Sequence, residues 1–190
     1  NTGGMGAYSP VPWLPHDADA IVKTSIVDRV CAELAKREIE YVGWLYVGIM
    51  WTASGPEVIE FNVRLGDPEA QVLAVADKSD WLENILAQVG EKSSGSLEIK
   101  APEPTVGIVL ASSDYPYKEG VFEAEAIPKS VIANCESVFY AAVAKKNEQL
   151  STSQGRILTV VSGANTLREA REKSLNAIEE LSGQLNHVRY

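Results

Sequence analysis

The chain has 190 residues, 45% hydrophobic and 23% charged, a balance that excludes wholesale disorder, collagen and coiled coil and fits one large or two small domains. Seventeen Lys and Arg against 26 Asp and Glu give a formal charge of -9, so neither nucleic acid nor an anionic membrane is expected as main partner, and phosphate binding must be local. Cys31 and Cys135 have neither zinc spacing nor the density of a disulfide scaffold, which points to a reducing cytoplasm.

In chain order, the opening NTGGMGAYSP starts with Asn1 rather than Met, has neither the charged start nor the apolar run of a signal peptide, and reads as the middle of a longer chain. A Gly- and Pro-rich loop is expected through Pro15. Val22, Ile26, Val30 and Leu34 recur at helical spacing and predict an amphipathic helix over 17–37 with Asp17 as N-cap. Residues 42–51 are β-branched and aromatic; the turn signal Ala53-Ser54-Gly55-Pro56 and a second strand-like run over 57–65 predict a hairpin. The apolar stretch over 41–53 holds two glycines and falls short of the roughly 18 residues of a spanning helix.

Helices are expected over 68–76 and 80–89, with Pro68 at a first helical position and Gly90 as a stop. The stretch EKSSGSLEIKAPEP at 91–104 shifts toward Ser, Gly, Lys and Pro and reads as a connection. This divides the chain into residues 1–90, the connection 91–104, and a small unit over 105–190. Strands are predicted over 105–111, 121–127, 138–143 and 156–162. A helix follows over 167–181, with Thr166 and Glu169 at capping-box spacing and Leu167, Ala170, Ser174, Ile178 and Leu181 on one face. The fold class is α+β, an antiparallel sheet with helices followed by a small α+β domain.

Alternation in the second hairpin strand sends Ile59, Phe61, Val63 and Leu65 to one face, expected to pack, and Glu60, Asn62 and Arg64 to the other. A carboxylate and an amide carbonyl two residues apart are hard oxygen ligands suited to Mg²⁺, and an arginine beside them can fork onto phosphate oxygens. The plainer alternative is a solvated strand face with Glu60 and Arg64 as a surface pair. Gly66-Asp67-Pro68-Glu69 leads directly into a helix whose N-terminus suits an anion, although Asp67 and Glu69 equally suit capping. The opening loop Asn1, Thr2, Gly3, Gly4, Met5, Gly6 can offer consecutive N–H groups to an anion or serve as a flexible connection. His16, His187 and Cys31 suggest surface or packing roles, as Trp44, Trp51 and Trp81 suggest packing.

NTGGMGAYSP and VIEFNVRLGDPEAQV, with GWLYVGIM between them and PTVGIVLAS, QGRILTV and TLREAREKSLNAIEEL after them, resemble phosphoribosylamine-glycine ligase, also called glycinamide ribonucleotide synthetase, an ATP-grasp family of purine biosynthesis. The resemblance implies the C-terminal half of an ATP-grasp catalytic domain over 1–90 and the small C-terminal domain over 105–190. The nucleotide-fold domain and the lid are absent, and the family runs slightly past Tyr190. It further implies Glu60 and Asn62 as ligands of Mg²⁺ or Mn²⁺, and Arg64 as the catalytic arginine at the reacting phosphate and carboxylate. Asn1, Thr2, Gly3, Gly4, Met5, Gly6, Gly66, Asp67, Pro68 and Glu69 would line the substrate site. ATP is the implied co-substrate, glycine and 5-phosphoribosylamine the substrates, and the N-terminal half of the same enzyme the partner. No protein nucleophile is required, in keeping with the lack of a Ser-His or Cys-His signature. Two departures stand out: Phe139-Tyr140-Ala141-Ala142-Val143 replaces a histidine followed by Ala-Gly-Thr, and Gln154 in Ser153-Gln154-Gly155-Arg156 replaces one of a usual double glycine. Another ATP-grasp carboxylate-amine ligase, or an inactive module that packs against the missing half, are the rival expectations.

Overall fold

The computed structural model describes residues 2–79, 81–89, 103–117 and 122–190. Strand β1 (Gly6–Ser9) lies inside the expected opening loop. A helical run follows as α1 (Ala18–Val22), a π-helical segment (Lys23–Val27) and α2 (Asp28–Lys36). In the π segment the Thr24 and Ser25 hydroxyls donate back to the carbonyls of Ala20 and Ile21, at 2.8 and 2.6 Å, the side-chain competition that perturbs a helix interior. Asp17 holds the N-cap position without a side-chain cap bond. The hairpin is β2 (Tyr46–Thr52) and β3 (Gly55–Asn62), with Thr52 opposite Gly55, so the loop is only Ala53 and Ser54.

Helices α3 (Glu69–Ala76) and α4 (Trp81–Val89) come next, with Pro68 at the N-cap and not the first helical position. The expected stop at Gly90 and most of the connection 91–104 lie outside the described residues. Then come β4 (Thr105–Ser112), α5 (Lys129–Ile132), β5 (Ser137–Tyr140), β6 (Val143–Lys146), β7 (Gln149–Thr152), β8 (Arg156–Gly163), α6 (Leu167–Ser182) and β9 (Val188–Arg189). The strand expected over 121–127 is reduced, among the described residues, to a single bridge between Ala126 and Ser151. Glu125 is there turned away to hold the tail, accepting from the backbone N–H groups of Asn186 and His187. The strand expected over 138–143 is interrupted at Ala141 and Ala142, where the chain turns from β5 into the β6–β7 hairpin.

Contacts divide the chain into two compact units that do not follow chain order. One comprises Asn1–Pro10, Asp67–Lys78 and Ile99–Tyr190; the other comprises Val11–Gly66 and Ser79–Glu98. The first holds an antiparallel sheet in the order β1-β4-β8-β5, with β9 beside the end of β4. Gly6 permits the β1 pairing, because a Cβ there would lie 2.9 Å from the Gly107 carbonyl oxygen. Alternation along β4 and β8 sends Ile108, Leu110, Leu158 and Val160 toward Ile178 and Leu181 of α6. The opposite face, at Gly107, Thr159 and Val161, receives Val72 of α3. Thr166 caps α6 as expected, accepting from the Glu169 N–H at 3.2 Å. The second unit contains the helical run, the β2–β3 hairpin and α4, and within it the rings of Trp44 and Trp81 meet at 5.9 Å.

Candidate functional site

In the hairpin unit, β3 places Glu60 and Asn62 on one side, opposite Gly48 and Tyr46 of β2. The two side chains touch: the Asn62 amide Nδ2 donates to Glu60 Oε1 at 3.1 Å. Rotation of the amide presents its carbonyl oxygen in the same place, so a carboxylate and an amide oxygen can face one ion. That donor set suits Mg²⁺, which keeps several waters and shares its shell with substrate phosphates. Among the described residues no group of three or more His, Cys, Asp or Glu side chains could hold a metal by itself. Any ion here would depend on such outside donors.

Two expectations about this strand change. It ends at Asn62, so Arg64 sits in a bend beyond it, outside the alternating row, and its Nη1 donates to the Leu65 carbonyl at 2.8 Å. The face expected to pack is open: Ile59, Phe61 and Val63 are 52%, 47% and 77% exposed. Alternation defines the strand, but the partner that would bury its apolar face is not among the described residues.

The other unit assembles the remaining candidates, apart from Gly66 of the hairpin unit and Asn1, which lies outside the described residues. The loop through Thr2, Gly3, Gly4, Met5 and Gly6 and the turn Asp67-Pro68-Glu69 meet at Arg156. Its Nη1 donates to the carbonyls of Gly4, at 3.3 Å, and Asp67, while Nη2 pairs with Asp67 Oδ2 at 2.9 Å. Tyr115 donates its hydroxyl to the Gly3 carbonyl at 3.1 Å. Asp67 Oδ1 accepts from Gln71 at 3.0 Å. The Asp67 carboxylate is thus committed to Arg156 and Gln71 and makes no side-chain cap of α3. Glu69 occupies the first turn of α3, where its charge favours the positive end of the helix.

Among the described residues, neither histidine belongs to a group of three or more side chains that could hold a metal. The His187 backbone N–H, with the backbone and side-chain amides of Asn186, binds Glu125. Burial pushes the Glu125 carboxyl up, but these hydrogen bonds and the His187 charge outweigh it and hold it below its ordinary value. Burial, assisted by Glu180, pushes the Cys135 thiol up and makes it a poor nucleophile.

Family models match most of the chain: the ATP-grasp (A) domain of phosphoribosylglycinamide synthetase over residues 1–70, and its C domain over 105–190. The chain belongs to the phosphoribosylglycinamide synthetase family. It is 37% identical to the phosphoribosylamine--glycine ligase of Haemophilus influenzae over 95% of this chain and 42% of that protein. The Mycobacterium leprae ligase is 39% identical over all of this chain and 44% of its own length. The crystal structure of the Thermotoga maritima ligase superposes with a TM-score of 0.76 at 31% identity, covering 94% of this chain and 44% of that one. The chain therefore spans less than half the length of these relatives. The expected α+β fold, with ATP-grasp and C-terminal parts of this family, is shown by these matches.

Arg156 and Tyr115 escaped the sequence reading. One signal was available: an arginine opens β8, whose other residues are apolar or small, and a charged side chain there needs a partner.

Proposed function

We propose that the protein carrying this chain joins glycine to 5-phosphoribosylamine at the expense of ATP, giving glycinamide ribonucleotide, ADP and phosphate in de novo purine biosynthesis. The observation that carries this reading is the Glu60–Asn62 pair at 3.1 Å within a chain matched by both family models. Glu60 and Asn62 would hold a Mg²⁺ or Mn²⁺ ion, which when bound neutralises phosphate charge. Arg64 would swing from the Leu65 carbonyl onto the reacting phosphate and carboxylate, stabilising charge as it develops. A glycine carboxylate oxygen attacks the γ-phosphorus and ADP leaves; the amine then attacks the acyl carbon of glycyl phosphate and inorganic phosphate leaves. The glycine loop 1–6 and the turn 66–69 would supply positioning, the larger part of catalysis where no protein nucleophile is needed.

On this reading residues 1–90 are the C-terminal part of the ATP-grasp catalytic domain, 91–104 a connection and 105–190 the small C-terminal domain. The partner is the N-terminal half of the same enzyme, the compartment is the cytoplasm, and the 190 residues alone are inactive. Among the described residues no helix is long and apolar enough to cross a membrane. The test is ADP release with Mg-ATP, glycine and freshly generated phosphoribosylamine, each omitted in turn, in the full-length protein and its Glu60→Gln variant. Loss of a metal-holding charge is expected to remove turnover by about 10²-fold or more. Unchanged activity of the variant overturns the role of Glu60, and ADP release with a carboxylate other than glycine indicates a different ATP-grasp ligase.

A further inference from the structure

We propose that Arg156 is a positioning residue of the small C-terminal domain, clamping the glycine loop to the Asp67 turn and so setting the geometry of the substrate site. This rests on the functional reading above for what the loop binds, but the clamp itself stands on local geometry. One planar guanidinium holds two segments far apart in sequence, through the Gly4 and Asp67 carbonyls and the Asp67 carboxylate. The Arg156 side chain is 22% exposed and that of Asp67 42%, so the pair is open to solvent on the Asp67 side and the fork geometry of the guanidinium matters more than its charge. Gly3 fits flat against the clamp: a Cβ there would lie 2.7 Å from the Tyr115 hydroxyl and 2.8 Å from Arg156 Cζ.

The clamp has its own support. Gln154 donates through Nε2 to Asp114 Oδ2, beside Tyr115. Gly155 donates its N–H to the Ser112 hydroxyl at 2.9 Å. Arg189 of β9 donates to the Tyr115 carbonyl at 3.1 Å, and Ser113 donates its N–H to the His187 carbonyl at 3.0 Å. The 112–115 turn is thus tied to both the segment that leads into β8 and the tail, and presents Tyr115 beside Arg156 to the loop. A lysine at 156 would keep the charge but lose the fork.

The experiment compares full-length wild-type protein with Arg156→Lys, Arg156→Met and Asp67→Asn, by backbone hydrogen exchange and steady-state kinetics. Expected for Arg156→Lys is faster exchange confined to the segments at 3–6 and 66–70, with β8 and α6 as protected as in wild type. Alongside it, kcat/KM for glycine and phosphoribosylamine falls about 10- to 100-fold at unchanged KM for Mg-ATP, the signature of displaced positioning groups. Asp67→Asn, which removes the ion pair but leaves both carbonyl contacts, is expected to change exchange and kinetics in the same direction by less, and the double variant to do little more than Arg156→Lys alone. Unchanged exchange at 3–6 in both conservative variants, or loss of protection spread through β8 and α6, overturns the clamp. If the wild-type protein shows no glycine-dependent turnover, the functional reading fails while the exchange data still decide the clamp.

Discussion

The strand pair β4–β8 and the hairpin β2–β3 are both rich in β-branched residues, the hairpin with aromatic residues besides, and end in different environments. Val109, Leu110, Ile157, Leu158, Val160 and Val161 are all at most 1% exposed, whereas Ile59, Phe61 and Val63 of the hairpin strand and its continuation lie open. The difference lies in what covers each sheet. Helix α6 supplies Ile178 and Leu181 against one face of β4–β8, and α3 supplies Val72 against the other. An apolar strand face thus establishes that a strand will form and says nothing of which element will bury it.

The sharpest way to break this comparison is a pair of truncations followed by denaturant unfolding of the 190-residue chain. Leu110→Ala, at a site fully closed to solvent, is expected to cost about 3 kcal/mol through lost burial and a cavity. Phe61→Ala is expected to stay within about 0.5 kcal/mol, as for a surface position. Equal costs would mean that the hairpin face is buried in solution and that the contrast is false. A smaller effect sharpens the account of α6: Thr166→Ala removes the acceptor of the Glu169 N–H and is expected to cost about 1 kcal/mol. Thr166→Asp should restore most of it in the same assay.

The smallest effect concerns the tail. The Glu125 carboxyl is held below its ordinary value by the amides of Asn186 and His187. Its contribution is therefore fully present above the unfolded value and is lost as pH falls through the lowered folded value. Thermal unfolding across the acid range should show a shallower decline for Glu125→Gln than for wild type, with the two curves converging at the lowest pH. Parallel curves would remove Glu125 from the acid response.

Much of the fold was legible in residue order. The N-cap at Thr166 and the face carrying Leu167, Ala170, Ser174, Ile178 and Leu181 are local patterns, and the last four of these residues are buried while Leu167 is half-buried. The Glu60–Asn62 pair was legible for the same reason, since side chains two apart on a strand share a face. The strand in the opening loop was not, because the pairing of Gly6 with Ile108 depends on a distant glycine admitting a close backbone. The line through Glu60, Asn62 and Arg64 was extended one pair too far, because the chain bends into the Gly66-Asp67 turn before Arg64 can join the sheet.

By itself the sequence determined helix α6 with its cap, the hairpin and the two long central strands, the adjacent oxygen donors of β3 and the family, all of which depend on neighbours a few positions apart or on the order of motifs. Tertiary structure alone decided that residues 67–78 group with the distant C-terminal sheet, that Arg156 and Tyr115 grip the glycine loop, and that β4 and β8 are buried while the apolar face of β3 is open. Those outcomes turn on which surfaces meet after the chain has folded back on itself. Burial and a shared guanidinium are properties of that meeting, and residue spacing carries no record of them.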